Sequence, residues 1–221
     1  MMLQKMTAVV FDFNGTLLWD TPLHNWAWDI FLEKYGLPMT DAEKMERIHG
    51  KTNQLIFRNI FGELSEAQVE KYILEKEGIY QQLCIETGIS LAPGITALWE
   101  DLRCRNIKFT IATASGPENI DFYFERYQLE EWFDYDLVVF NNGNIASKPD
   151  PEIFNIAIDR LQVSPEQTVI FEDSAAGLKA ATAANVGKIY IVNSNADDYA
   201  AFPFEIITHF DQVDRSIFIN G

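Results

Sequence analysis

Thr7-Ala8-Val9-Val10-Phe11-Asp12-Phe13-Asn14-Gly15-Thr16 is the stretch on which the fold turns. An apolar run of β-branched and aromatic residues stops abruptly at a polar cluster. That is the pattern of a strand buried on both faces of a parallel sheet, with its chemistry gathered at the carboxyl end. Downstream, the sequence is helical in pattern for a long way. Pro22 opens a predicted helix in which Trp26, Ile30 and Phe31 share a face, closing at Gly36 before Pro38. Helical patterns continue over 41–48, 53–61 and 65–86. Pro93-Gly94 then breaks the pattern. Beyond it come helix 95–105, strand 109–112, helix 118–127, strand 137–140, helix 151–162, strand 168–171, helix 175–184 and strand 188–192. Asp150 reads as the N-cap of 151–162, with Pro151 at its first position.

Alternating strands and helices call for an α/β core, a Rossmann-like parallel sheet with helices on both faces. Residues 1–20 and 93–221 form this core domain, and 21–92 form an inserted all-helical cap domain. Thr21-Pro22 and Leu91-Ala92-Pro93-Gly94 are the expected hinges. Ligands of open α/β sheets bind at the carboxyl ends of the strands, so the insertion should lie over the site as a lid.

The 221 residues, 48% hydrophobic and 23% charged, are ample for a buried core and unlike a disordered or disulfide-stapled chain. Lys and Arg number 17 against 33 Asp and Glu, a net charge of −16 that repels nucleic acid and anionic lipid. Cys84 and Cys104 make no metal-type cluster. The first apolar run is too short for a signal peptide or a membrane span. The expectation is a soluble cytoplasmic protein, monomer or weak dimer, whose partner is a small molecule.

Four polar clusters follow four predicted strands: Asp12-Phe13-Asn14-Gly15-Thr16, Thr113-Ala114-Ser115, Ser147-Lys148-Pro149-Asp150-Pro151 and Glu172-Asp173-Ser174. Singly, each could be a turn or a surface feature. Together, on one edge of a parallel sheet, they supply an anionic nucleophile, hydroxyl donors, a lysine and a carboxylate pair. Metal-assisted phosphoryl transfer needs that set: a cation to offset carboxylate–phosphate repulsion, and donors around the transferred oxygens.

In the motifs FDFNGTLL, TIATAS, SKPDPEIF and IFEDSAAGLKAA, which span nearly the whole chain, the sequence resembles the haloacid dehalogenase-like superfamily. It is similar to the branch with a helical cap after the first motif, which includes β-phosphoglucomutase and sugar-phosphate phosphatases. The resemblance implies Asp12 as a nucleophile that forms an aspartyl-phosphate and binds Mg²⁺, with the Asn14 carbonyl as a second ligand. Glu172 and Asp173 would complete the metal site, an oxygen set suited to Mg²⁺. Thr113, Lys148, Ser115 and the backbone of Ala114 would hold the phosphoryl group. Gly15 would permit the turn after the nucleophile, and Gly177 close helix packing.

One position departs from the family pattern. Its phosphatases and mutases carry Asp two residues after the nucleophile, as general acid and base; here the residue is Asn14, whose amide has no titrating proton near neutrality. His24, at the cap entrance, is the candidate replacement, and a hinge-steadying residue is the alternative. In the cap, His49 and Lys51 fall where such caps carry their substrate-specificity loop, and they could meet a distal phosphate or hydroxyls. Thr52 or Asn53 reads equally as a helix N-cap. The activity implied is Mg²⁺-dependent hydrolysis of a small phosphorylated metabolite. The alternatives are a mutase, a phosphonoacetaldehyde-hydrolase-like enzyme using Lys51, or a non-catalytic phosphate-binding protein. Trp19, at the exit of the first motif, could line the pocket.

Overall fold

The structure, a computed structural model, describes residues 5–48 and 51–219. Six strands form one sheet: β1 (Ala8–Phe11), β2 (Lys108–Thr113), β3 (Val139–Phe140), β4 (Thr168–Glu172), β5 (Lys188–Val192) and β6 (Glu205–Ile207). All pair in parallel, in the order β3-β2-β1-β4-β5-β6. The fold is therefore the expected Rossmann-like α/β sheet. β6, which the sequence reading does not contain, extends one edge. It has three residues, two of them exposed, and so lacks the apolar run that marks the others.

β1 is central because its side chains face protein on both sides. Phe11 pairs with Ile111 on β2 and Phe171 on β4. Its ring stacks on Phe171 at 5.1 Å between centroids. The next residues along β1 and β4, Asp12 and Glu172, are thereby brought level at the carboxyl edge. Helices α5 (Ile95–Cys104), α6 (Pro117–Tyr127), α7 (Glu152–Leu161) and α8 (Ala175–Ala183) cover the sheet, and two buried clusters lie on its faces. α7 starts one residue later than expected. Pro151 is its N-cap, while Asp150 still accepts from the Glu152 N–H at 2.9 Å.

Between β1 and α5 the regular elements among the described residues are four helices, the stretch the sequence reading assigns to the cap: α1 (Thr21–Lys34), α2 (Asp41–Arg47), α3 (Asn53–Phe61) and α4 (Glu66–Thr87). Thr40, Thr52 and Ser65 cap α2, α3 and α4 through their side chains. An aromatic cluster holds the bundle, with Trp28, Phe31 and Phe57 buried and Tyr35, Phe61 and Tyr72 packed against them. The face of α1 is rotated from the expected one. Ala27, Trp28, Phe31 and Leu32 are buried, whereas Trp26 is 50% and Ile30 38% exposed. Trp28, three residues before Phe31, shares its face, whereas Trp26, five residues before it, lies about 140° round the helix, so the periodicity itself favours Trp28.

The two chain crossings between core and insertion lie side by side, since Leu18 bridges Leu91 and the Ala92 N–H donates to the Leu17 carbonyl at 2.8 Å. α4 is 22 residues long and reaches both halves. Its Tyr80, Leu83 and Cys84 pack in the same cluster as Phe11 and Trp99, while Tyr72 and Ile73 pack in the aromatic cluster. Trp19 packs against that core cluster and does not line the cavity described below. No helix among the described residues is long and apolar enough to cross a membrane.

Candidate active site

Parallel pairing brings three of the four polar clusters to the ends of β1, β2 and β4, and the loop ahead of α7 adds Lys148. Its ammonium donates to Asp12 Oδ1 at 2.6 Å and to Glu172 Oε1 at 2.5 Å. Carboxylate oxygens of Asp12, Glu172 and Asp173 lie within 4.8 Å of one another. Two glycines make room for this. Gly15 adopts φ +78°, and a Cβ there would lie 2.0 Å from Asp173 Oδ2. At Gly177 a Cβ would lie 1.6 Å from Glu172 Oε1, so this glycine serves a carboxylate rather than the helix packing expected of it. The other Glu172 oxygen accepts from the Ser174 N–H at 2.6 Å, and the Ser174 hydroxyl caps α8.

This centre carries more negative charge than its protein partners balance. Burial, with Glu172 nearby and despite Lys148, pushes the Asp12 carboxyl up to about 7. Burial and the neighbouring carboxylates raise Asp173 well above the usual range. Burial opposes the charge on Lys148, but Asp12 and Glu172 outweigh it and hold the ammonium above its ordinary value. Three carboxylates against one ammonium leave two negative charges, the complement of one divalent cation with oxygen ligands. The donor set fits Mg²⁺. Thr113, Ala114 and Ser115 line the same cavity, and Thr113 Oγ1 accepts from the Ser115 N–H at 3.2 Å.

Asn14 sits in a web of hydrogen bonds. Its Nδ2 donates to Asp20 Oδ2 at 2.6 Å and to the Tyr123 hydroxyl at 2.7 Å, and its Oδ1 accepts from Ser115 Oγ at 2.6 Å. Asp20 also accepts from the Tyr80 hydroxyl and from the Gly15 N–H at 3.0 Å. These donors, together with His24, overcome the burial that would raise the Asp20 carboxyl and hold it below the usual carboxylate range.

His24 does reach Asn14, with Nε2 3.2 Å from Nδ2, and its ring stacks on Tyr80. Its other nitrogen lies 3.0 Å from the Lys76 ammonium. An ammonium has protons and no lone pair, so Nδ1 accepts and the ring proton stays on Nε2, which faces Asp20 Oδ2 at 3.5 Å. Lys76 also donates to both oxygens of Glu77 at 3.1 Å. Asn53 and Asn119 then donate to Glu77 at 2.8 and 2.9 Å. Lys76 and Glu77 are each 2% exposed, and the sequence reading misses both. The available signal was a lysine lying on a buried stripe with Val69, Ile73, Tyr80 and Leu83.

The cavity between the halves is about 260 Å³ and is lined from the core by Asp12, Thr113, Lys148 and Asp173 and from the cap by Trp28, Ile48, Asn53 and Lys76. Lys51 is on its wall, with its ammonium donating to the Glu46 carbonyl. His49 lies outside the described residues.

Residues 6–185 match the family described as haloacid dehalogenase-like hydrolase. A phosphorylated carbohydrates phosphatase of Thermotoga maritima is 32% identical over 87% of this chain and 88% of its own length. A β-phosphoglucomutase of Bacillus subtilis is 30% identical over 82% and 81%. A family IA hydrolase from Entamoeba histolytica superposes with a TM-score of 0.85 at 34% identity, covering 94% of this chain and 95% of that one. With the six-stranded parallel sheet and the acidic centre in place, the chain belongs to the haloacid dehalogenase-like hydrolases, as an enzyme of the phosphatase type.

Proposed function

We propose that this protein is a Mg²⁺-dependent phosphatase acting on a small phosphorylated sugar or related metabolite, with Asp12 as nucleophile. The observation that carries the reading is the buried centre of Asp12, Glu172 and Asp173 with Lys148 as its only ammonium among the described residues. The relatives' names support the substrate class.

In this reading an Asp12 oxygen attacks phosphorus and the ester oxygen departs with its electron pair, giving an aspartyl-phosphate and an oxyanion that takes its proton from water. Water then cleaves the acyl phosphate, releasing inorganic phosphate and restoring Asp12. Lys148, the Thr113 and Ser115 hydroxyls and the Ala114 N–H receive the non-bridging oxygens. Asp12, the Asn14 carbonyl, Glu172 and Asp173 would hold Mg²⁺, which supplies positive charge against that of the phosphate.

The proton for the leaving group is the weak step. Asn14 has none to give, and His24 accepts from Lys76 at Nδ1 while its Nε2–H faces Asp20 and not the reacting centre. The arrangement favours His24 as a strut of the hinge and favours substrates whose leaving group needs little help. Lys51, engaged with a backbone carbonyl at the cavity wall, offers no Schiff-base setting.

Phosphate release from p-nitrophenyl phosphate, acetyl phosphate, hexose phosphates and phosphonoacetaldehyde, each with Mg²⁺ or EDTA, tests this. Mg²⁺-dependent release, fastest from the aryl and acyl phosphates, is expected. Release unaffected by EDTA, or none from any ester, would refute it.

A further inference from the structure

The cavity that holds Asp12 adjoins a second one of about 830 Å³, and Thr52, Asn53, Ala114 and Asn141 line both. Whatever part of a substrate projects beyond the transferred phosphate lies against these walls. Apart from Lys148, the cationic side chains among the described lining residues are Lys51, Lys76 and Arg58. Each of the three has a partner already: Lys51 the Glu46 carbonyl, Lys76 both Glu77 oxygens and His24, Arg58 the Leu64 carbonyl at 3.3 Å. Facing them are Glu77, Glu66, Glu70, Glu118 and Asp121.

Glu118 is placed most tellingly. α6 begins at Pro117 with Gly116 as N-cap and no side-chain cap of its own; Pro117 brings no N–H and the Asn119 and Ile120 N–H groups both donate to the Gly116 carbonyl at 3.2 Å, so this end offers the second cavity the Glu118 N–H and the positive end of the helix. A second phosphoryl group would be drawn there. The Glu118 carboxylate is folded back over that end instead, both oxygens 2.5 Å from where a Gly116 Cβ would stand. Gln81 fixes the adjacent backbone, donating to the Glu118 carbonyl and to Asn119 Oδ1 at 3.0 Å each. The remaining polar lining is uncharged, with the amides of Asn53, Asn119 and Asn141 and the hydroxyls of Thr21, Thr52, Ser147 and Ser174, groups that pair with hydroxyls as readily as with anions.

We infer that the site selects compounds carrying a single phosphate on a polyhydroxylated body and rejects bisphosphates, with the Glu118 carboxylate as the discriminating group. This deepens the phosphatase reading and rests on it for the place of the first phosphate.

The test compares fructose 1-phosphate with fructose 1,6-bisphosphate as competitors of p-nitrophenyl phosphate hydrolysis in Mg²⁺. The wild-type protein should bind the bisphosphate about tenfold more weakly, the size of one close like-charge pair at intermediate dielectric. In Glu118→Lys the ratio should reverse, and in Glu118→Gln it should fall to near one. Because each ratio is internal to its variant, a general loss of activity cancels. Equal or tighter bisphosphate inhibition of the wild type, or a ratio that neither variant moves, overturns the inference. Calorimetric titration of the Asp12→Asn protein with the same two ligands separates this from the parent reading. If the wild type hydrolyses no ester, the phosphatase reading fails, and tighter binding of the monophosphate still upholds selectivity. Binding of neither ligand overturns both.

Discussion

Asp12 and Asp20 stand on the same loop, both buried, with 6% and no exposure, and their carboxyls move in opposite directions from the ordinary value. Asp20 is surrounded by donors: the Gly15 N–H, the Asn14 amide, the Tyr80 hydroxyl and the Nε2 edge of His24. Asp12 has one ammonium, which it shares with Glu172, and two further carboxylates close by. Burial penalises both charges, so the neighbours decide. The difference separates a charge the fold has satisfied from one it has left for a ligand. The satisfied carboxylate ties the loop after β1 to α1 and α4; the unsatisfied one is the nucleophile of the function proposed above.

Exchanging the roles should therefore fail in distinct ways. The largest effect is expected at Asp12→Asn, where no nucleophile remains and turnover should fall below detection. The same change removes an unbalanced buried charge, so the metal-free protein should unfold at higher urea near neutral pH. Persistent Mg²⁺-dependent turnover would sink the assignment of Asp12. Asp20→Ala should instead cost stability, about 3–5 kcal/mol, because it strands the Tyr80 hydroxyl, the Asn14 amide and a backbone N–H in a buried site. Urea midpoints measure it, and a loss below about 1 kcal/mol would show that water replaces the carboxylate.

Asn14→Asp probes the contact between the two networks. The new carboxyl would stand where the amide now lies 2.6 Å from Asp20 Oδ2, and two carboxylates that close cannot both ionise. The pair would keep a proton at neutral pH, as a general acid requires. Turnover of alkyl phosphates should rise by about 10²-fold, within the range for such a group, and the gain should shrink as pH rises. Acetyl phosphate, whose leaving group needs no proton, should gain little. A flat response for the alkyl esters would mean that another group already supplies the proton.

Much of this was legible from the sequence, because Asp12, Thr113 and Glu172 stand at the ends of strands whose apolar runs announce them, and Lys148 lies on the loop between the next strand and α7. Their meeting required only that the strands be parallel and adjacent. The partners of Asn14 were not legible. Tyr80 and Tyr123 come from α4 and α6, far along the chain, and meet Asp20 only because α4 packs on the core as well as on the cap. Lys76 and Glu77 resemble an exposed charged pair in the middle of a helix. They are buried because the Trp28 ring, 5.1 Å from the Lys76 ammonium, and the Tyr80 ring close over them. Helical periodicity fixes which residues share a face but not what that face will meet; the placing of Trp26 on the buried face is a different matter, since the period itself puts Trp28 beside Phe31.

The smallest effect expected is also the one that reads the comparison most directly, the dependence of Mg²⁺ stabilisation on pH. Asp12, with its carboxyl near 7 in the folded chain against an ordinary 3.8, keeps a proton that the unfolded chain has already released. Between those values the folded state binds more protons, so this group makes the metal-free protein less stable as pH rises. Asp173 acts in the same direction. Asp20 and Glu77 act in the opposite sense: held below the ordinary range, they contribute stability that is fully present above it and lost only as pH falls through their lowered values. Their contribution therefore changes only at the acid edge of the window in which Asp12 titrates and is constant over the rest of it. A cation that requires ionised carboxylates binds against protons, and its affinity must grow over the same window. The Mg²⁺-induced rise in Tm should be slight at about pH 5 and reach several degrees at about pH 8, on the order of 2–4 °C for each kcal/mol gained. A rise as large at the acid end as at the alkaline end would mean that the ion is held somewhere other than at Asp12, Glu172 and Asp173.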